Sequence, residues 1–305
     1  MSVLDRLAHR TRLALRRSVA IVWRALLKFN ETDCEQRAAS FAYYAFFAVF
    51  PLLLLLITIG ANFLHDQEAA VTKVLDYVQN YLPPDVDGVD AVLKTVNGVV
   101  KSRRSAGTIA FLVLAWSALR FFQALVHGVN RAWGTKEYSW WRLPIKNTFM
   151  LGILTSALGL GILVPPILDQ IENFYFKHSR PVGLDFGFLW YVFEFAKLAV
   201  PLLVLFYGMS MFFKFAPRRR TLFSEVWRAA LFVTISLELL QRLFVYYARH
   251  IGNFNALYGA FGSVVALLLW IYLSGSIILL GGCLCAARYE IDMSLADQSE
   301  SSFAR

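Results

Sequence analysis

Long runs of apolar residues constrain the fold of this chain more than any other feature of its sequence. A helix needs about 20 mostly apolar residues to cross a bilayer. Six stretches satisfy this requirement, near residues 36–62, 105–127, 145–168, 187–213, 225–249 and 259–287. Only 17% of the 305 residues are charged, whereas soluble domains carry about a quarter. The sequence therefore predicts an all-α polytopic membrane protein, with six transmembrane helices in a single membrane domain (residues 1–305).

The distribution of lysine and arginine predicts the orientation of these helices. If the first helix runs outward, 19 of the basic residues fall in the inside segments and 8 in the outside segments. Cytoplasmic loops of membrane proteins carry this excess of positive charge. We therefore expect both termini in the cytoplasm. The run Lys101, Arg103 and Arg104 falls on the outer side and opposes the trend.

Two further regions have a helical pattern without being long enough or apolar enough to span. Residues 12–29 place basic residues on one side and apolar residues on the other. This pattern is typical of an amphipathic helix at the cytoplasmic interface, drawn to anionic headgroups. The alternative is a solvated helix that packs on its own protein. The long outer loop, residues 65–104, shows two amphipathic patterns and either rests on the outer leaflet or covers the ends of the helices.

Helix breakers and small residues lie inside the predicted spans. Pro51 and Pro201 interrupt the first and fourth helices, and an interior proline frees a backbone carbonyl. Glycines allow helices to approach closely, and the sixth helix is rich in them. They are Gly259, Gly262, Gly275, Gly281 and Gly282.

Charged side chains inside the spans are the best candidates for a functional site. A charge in the hydrocarbon costs between roughly 2.5 and 17 kcal/mol, so such residues face protein or water. Glu194 and Arg242 fall at similar depth on two helices, which makes a pair between them geometrically feasible. The charges form either a structural lock or a polar, water-accessible cavity. They are Arg120, Glu194, Lys197, Glu238 and Arg242.

The sequence contains no local pattern typical of an enzyme. The five histidines are scattered, with no spacing that would hold a metal, and no nucleotide or other cofactor motif is present. Cys283 and Cys285 point to different sides of a helix. We interpret them as buried small hydrophobic residues rather than as a metal or redox pair. We therefore predict no catalytic residues, no metal and no cofactor.

Three long motifs resemble the YihY/BrkB family of bacterial inner-membrane proteins. They are AASFAYYAFFAVFPLLL (38–54), WSALRFFQALVHGVNRAWG (116–134) and NFNALYGAFGSVVALLLWIYLSGSIILLGG (253–282). The basic link FAPRRR before the fifth helix also fits the family pattern. The positions that match it are Tyr43, Tyr44, Pro51, Trp116, Arg120, Asn130, Arg131, Gly134, Asn253, Tyr258, Gly259, Gly262 and Trp270.

The resemblance implies six helices in the inner membrane and no accepted set of catalytic residues. It also implies an association with virulence, and with transport of lipids or lipopolysaccharide precursors in some members. The family once carried the label ribonuclease BN, which is regarded as a misassignment.

We therefore expect a transporter, or a transport accessory, for lipids or other anionic amphiphiles. Arg120, Lys197 and Arg242 would meet phosphate, and Tyr43 and Tyr44 would offer hydroxyl groups. The expected partners are anionic membrane lipids and not nucleic acid, and the oligomeric state, homo-oligomers included, is left open. The alternatives are a structural or recruiting membrane protein with a polar helix lock, and a membrane-bound nuclease.

Overall fold

The computed structural model of the protein is helical wherever it describes regular structure. It describes residues 3–48, 105–135, 187–219, 221–250 and 262–303, with Gly152, Ser156 and Gln170, and it has no strand among them. The helices of these ranges are α1 (Val3–Glu31), α2 (residues 34–48), α3 (Ser105–Ala132), α4 (Gly187–Phe215), α5 (Phe223–His250) and α6 (Gly262–Phe303). The all-α prediction is confirmed for this part of the chain.

Three segments of the described helices are long and apolar enough to cross a membrane. They are Phe195–Phe215 in α4, Phe223–Tyr247 in α5 and Val264–Leu295 in α6. Predicted spans 187–213 and 225–249 agree with α4 and α5 to within two residues at each end. The total of six spans stays a prediction.

Several predicted features lie outside the described residues. They are the third span (145–168) apart from Gly152 and Ser156, the outer loop (65–104), Pro51, Asn253, Tyr258 and Gly259.

Helices α1 and α6 extend well beyond their predicted limits, and α3 continues from the predicted end at residue 127 to Ala132. The predicted interfacial segment 12–29 lies within the longer α1, whose position at a membrane interface stays a prediction. Helix α6 continues past residue 287 as far as Phe303. The added turns of α6 carry Tyr289, Glu290 and Asp292, whose side chains contact other elements.

Helix α3 ends in a Schellman motif built around Gly134. The Gly134 N–H donates to the Arg131 carbonyl at 2.9 Å, and the Thr135 N–H donates to the Asn130 carbonyl at 3.0 Å. Gly134 has a φ of 63°, a left-handed conformation that costs glycine no steric penalty. The glycine of the family motif therefore stops the helix.

The chain forms two compact units. Unit 1 comprises Met1–Thr32, Val129–Glu238 and Leu280–Arg305, and unit 2 comprises Asp33–Gly128 and Leu239–Leu279. In unit 1 the largest buried side chain is Phe213, and Cys283 and Cys285 are buried as expected. In unit 2 the buried residues include Phe41, Val126 and Leu279.

Glycines of α6 let other helices come close, as predicted. A Cβ atom on Gly275 would lie 2.5 Å from Cδ1 of Phe41 in unit 2. In unit 1, a Cβ on Gly282 would lie 2.9 Å from Cγ2 of Val129, and one on Gly281 would overlap Val233. Real Cβ atoms do not approach their neighbours this closely, so these three positions of α6 require glycine for packing.

Candidate functional site: a basic cleft between two helices

A polar stripe on α2 faces a polar stripe on α3 within unit 2. The first stripe consists of residues 37, 40 and 44, and the second of residues 120, 123 and 127. Both have the i, i+3, i+7 spacing that places side chains on one face of a helix. The two stripes enclose a cleft of about 210 Å³, lined by Arg37, Ser40, Tyr44, Arg120, Gln123, Ala124 and His127. We call it the basic cleft.

Hydrogen bonds and ring contacts position the side chains of the basic cleft. Nη1 of Arg120 donates to Oε1 of Gln123 at 3.1 Å, which uses one of the five guanidinium N–H donors. The Ser40 hydroxyl donates to the Gln36 carbonyl at 3.0 Å. The Tyr44 ring meets the ring of Trp116 edge to face, with centroids 5.6 Å apart.

Arg37 is the most constrained cation of the basic cleft. Its Nε atom is buried and has no hydrogen-bond partner within the described part of the chain. A Cβ added to Gly128 would lie 3.4 Å from Cδ of Arg37, so the small residue on α3 leaves room for the arginine stem. A buried donor without a partner is costly, so the position of Arg37 is kept at the expense of one N–H group that no described residue satisfies.

The electrostatics of the basic cleft favour an anionic ligand. Two guanidinium groups and one imidazole line it, and none of the described lining residues is acidic. Arginine binds phosphate and carboxylate through paired N–H groups. The chemistry available here is therefore anion binding and orientation.

The predicted site residues divide between the basic cleft and other places. Tyr44 and Arg120 line the cleft, whereas Tyr43 is exposed and its ring contacts those of Tyr44 and Phe47. On α4 and α5, Lys197 and Glu238 are half-buried and Arg242 is exposed. The side chain of Glu194 lies outside the described ones, so its pairing with Arg242 stays a prediction.

Sequence reasoning missed Arg37, Ser40, Gln123 and His127 as members of one site. In the sequence Arg37 is one of the many charges that set topology, and His127 is one of five scattered histidines. The signal that finds them is the spacing of polar residues on otherwise apolar helices. That spacing places Arg120, Gln123 and His127 on one face of α3. It likewise places Arg37, Ser40 and Tyr44 on one face of α2.

A second polar centre in unit 1 joins the end of α3 to the link between α4 and α5. Asn130 is 2% exposed, and its Nδ2 donates to the Ala216 carbonyl at 3.1 Å. Its Oδ1 accepts from the Arg218 N–H at 2.7 Å and from the Thr135 hydroxyl at 3.0 Å. We call this set of bonds the Asn130 clamp.

The basic link after α4 is held by aromatic rings as well. The Arg219 guanidinium lies 3.6 Å from the ring centroid of Tyr289 and 4.7 Å from that of Trp133. Its Nη2 also donates to Oε1 of Glu225 at 3.2 Å. Cation–π contacts of this kind occur within about 6 Å, so Arg219 joins the α3 end, α5 and α6 of unit 1.

Basic residues of α1 pair with carboxylates of α6, also in unit 1. Lys28 lies 2.5 Å from Glu290 and donates to the Ala132 carbonyl at 3.0 Å, while Arg24 Nε donates to Glu290 at 3.1 Å. Arg17 pairs with Asp292. The hydrogen bond to Glu290 raises the pKa of Arg24 above its usual value. Arg24 and Lys28, which belong to the basic side of the predicted amphipathic segment 12–29, are therefore engaged within the protein, as is Arg17.

Comparison with known proteins identifies the family of the chain. The family model described as "Virulence factor BrkB" matches residues 25–302, which include the basic cleft, the Asn130 clamp and the basic link. The chain belongs to the BrkB family. The resemblance read from the three sequence motifs is confirmed.

Relatives of this BrkB-family chain carry names that describe membrane proteins or a ribonuclease-like protein. YfkH of Bacillus subtilis, named as ribonuclease-like, is 25% identical over 258 residues, which cover 84% of this chain and 90% of YfkH. A UPF0761 membrane protein of Psychrobacter sp. is 26% identical over 254 residues, or 83% of this chain and 45% of the relative. One of Neisseria meningitidis is 22% identical over 276 residues, or 90% of this chain and 64% of the relative.

The extent of these matches differs between relatives. The chain spans most of YfkH but less than two thirds of the relatives from Psychrobacter, Albidiferax and Neisseria. No solved structure matches the chain.

Proposed function

We propose that this BrkB-family membrane protein binds anionic amphiphiles by their headgroups and takes part in their transport across the bacterial inner membrane. The basic cleft is the observation that carries the proposal. It offers two guanidinium groups, one imidazole and two hydroxyl groups, which suit a phosphate or carboxylate headgroup. The protein acts by binding and not by chemical catalysis.

The size of the basic cleft favours a headgroup over a whole lipid. Pockets that bury complete small molecules have volumes of about 300–1,000 Å³, and this cleft has about 210 Å³. A lipid would therefore place its charged group between Arg37 and Arg120 while its chains stay in the hydrocarbon. The exposed aromatic side chains Tyr43 and Trp116, which adjoin Tyr44 and the cleft, are suited to contact those chains.

The cost of placing arginine in a span supports the same proposal. Arg120 lies on an apolar helix, and an intramembrane arginine needs protein partners, water or a lipid phosphate. Its bond to Gln123 is to a neutral amide on the same helix. An anionic headgroup would supply the countercharge.

A structural or recruiting role is the second candidate, and the contacts of unit 1 favour it. The Lys28–Glu290 pair, the Asn130 clamp and the stacked Arg219 all join elements of the chain to one another. In a structural protein of this kind, the polar residues of the basic cleft would serve only to hold α2 and α3 together. The nuclease alternative is weaker because Arg219 of the basic link FAPRRR, a cationic segment that nucleic acid would contact, stacks on Tyr289 and pairs with Glu225.

A flux assay in proteoliposomes tests the proposal. The protein is reconstituted with a fluorescent anionic phospholipid, and a membrane-impermeant quencher reports how fast the lipid moves between leaflets. We expect Arg120→Gln to slow this movement at least several-fold, with the protein folded and inserted. The matched control is Arg218→Gln, because Arg218 is an exposed arginine outside the cleft.

Two results would count against the proposal. Wild-type protein that moves the anionic lipid no faster than protein-free vesicles would favour the structural role. Equal rates for wild-type protein and Arg120→Gln would show that lipid moves by a route that does not use the cleft.

A further inference from the structure

The ion pairs between α1 and α6 indicate that the two helices cross rather than run side by side. Arg17 and Lys28 lie eleven residues apart on α1, which corresponds to about 16 Å along its axis. Their carboxylate partners, Asp292 and Glu290, lie only two residues apart on α6, or about 3 Å. Two parallel or antiparallel helices would pair residues at equal spacing along both axes. Because α6 contains a candidate membrane span, α1 runs across the direction of that span.

The contact between α1 and α6 lies at the end of the α6 span. The candidate segment Val264–Leu295 has 32 residues, or about 48 Å of helix, whereas the hydrocarbon core is about 30 Å thick. Its last turns therefore extend beyond the hydrocarbon, and these turns carry Glu290 and Asp292. Lys28 of α1 also bonds to the Ala132 carbonyl, the last residue of α3. Helix α1 is thus held at the level where helices leave the membrane.

The outward face of α1 is an exposed apolar stripe. We define the α1 stripe as Val19, Val22, Trp23 and Leu26, which are 62%, 50%, 64% and 48% exposed. The opposite face contains Lys28 and Ala25, both buried. A charged helix that turns its basic side to protein and leaves its apolar side uncovered needs another apolar surface.

Lipid is the occupant that the position of the α1 stripe favours. Other exposed apolar residues, Phe215 and Phe223, lie where α4 ends and α5 begins, at the same end of unit 1 as Ala132. Trp23 is of a residue type enriched at membrane–water interfaces. The α1 stripe and these phenylalanines are therefore exposed apolar side chains of the same unit, which lipid would cover.

We infer that α1 lies in the interfacial layer of one leaflet, anchored to α6 by Glu290 and Asp292, with the α1 stripe against the upper acyl chains. The positive-inside pattern assigns this leaflet to the cytoplasmic side. The α1 stripe supplies apolar contact there; Arg17, Arg24 and Lys28 are paired with carboxylates of the protein, and Arg16 is an exposed basic residue of the same helix. The inference does not depend on what the basic cleft binds.

Site-directed fluorescence in nanodiscs tests this inference on the full chain. Val19→Cys and Trp23→Cys are each labelled with an environment-sensitive fluorophore; the three native cysteines are buried, which makes the labelling selective. We expect strong quenching by lipids that carry a nitroxide near the top of the acyl chain, and weak quenching by aqueous iodide. A helix face in the interface reaches about 5–10 Å below the headgroups. The control is Ser294→Cys, an exposed position beyond Glu290, which should show the reverse pattern.

The lipid composition separates apolar contact from attraction by charge. Quenching at positions 19 and 23 should be similar in zwitterionic nanodiscs and in nanodiscs that contain anionic lipid. Quenching that requires anionic lipid would overturn the assignment of apolar contact.

Two other outcomes would overturn the inference altogether. Iodide quenching at 19 and 23 equal to that at 294 would place the α1 stripe in water. Protection from both quenchers, with cross-linking between labelled chains, would show that a second copy of the protein covers the stripe.

Discussion

Replacing Asn130 by alanine should destabilise unit 1 by about 3 kcal/mol. The Asn130 side chain is 2% exposed and makes three hydrogen bonds, to the Ala216 carbonyl, the Arg218 N–H and the Thr135 hydroxyl. A hydrogen bond contributes about 1 kcal/mol, and a buried partner left unsatisfied costs about 1–3 kcal/mol. Alanine removes all three bonds and leaves the polar groups of the α4–α5 link without the side chain that satisfies them.

Equilibrium unfolding of purified protein by SDS in mixed micelles measures this effect. The matched control is Thr135→Ala, which removes only the hydroxyl bonded to Asn130 and should cost about 1 kcal/mol. The difference between the two variants reports the bonds to Ala216 and Arg218. If Asn130→Ala lowers the free energy of unfolding no more than Thr135→Ala does, the Asn130 clamp does not stabilise the link between α4 and α5, and the reasoning is wrong.

Three further predictions concern packing, ion pairing and topology. Gly275→Ala should lower the free energy of unfolding by about 1–3 kcal/mol, because its Cβ would overlap the Phe41 ring. Gly152 has open space around it, so Gly152→Ala should stay within about 0.5 kcal/mol of wild type. Equal losses for the two variants in SDS unfolding would contradict this prediction. Glu290→Gln should lower the free energy of unfolding by about 2 kcal/mol, because it weakens a charged hydrogen bond to the buried Lys28. Asp292→Asn changes an exposed ion pair with Arg17 and should lower it by about 0.5 kcal/mol. A larger loss for Asp292→Asn than for Glu290→Gln would refute the anchoring of α1. Reporter fusions at Thr135, Arg219 and Ser301 should report the cytoplasm and one at Asp87 the outside, and the same side for Arg219 and Asp87 would exclude the six-span arrangement.

The positions of the described helices follow closely from the sequence, and their ends follow less well. Continuous apolar runs fix α4 and α5 because a spanning helix leaves little freedom in length. Helix α6 outruns its predicted end because its polar last turns are stabilised by contacts with α1, such as the pair between Arg24 and Glu290, 266 positions apart. No local pattern reveals a contact over that separation.

The candidate site could be predicted only in part for the same reason. Arg120 is conspicuous because it is a charge within an apolar run. Arg37 and His127 each share a helix face with other polar residues, but the sequence does not reveal that the two faces meet across the cleft between α2 and α3. The basic face of α1 shows a similar limit, because the amphipathic pattern predicts the helix but does not reveal that Arg24 and Lys28 pair with Glu290.

Lipid retention measured by native mass spectrometry tests the central claim, that the basic cleft binds an anionic headgroup, most directly. Protein extracted with its lipids is compared with the double variant Arg37→Gln plus Arg120→Gln and with the control Arg218→Gln, before and after addition of inorganic phosphate. The account predicts that wild-type protein and the control retain anionic phospholipid in preference to zwitterionic phospholipid. Added phosphate should weaken this preference. The double variant should fold normally and show no preference for anionic phospholipid. Retention of anionic lipid by the folded double variant at the wild-type level would contradict the account.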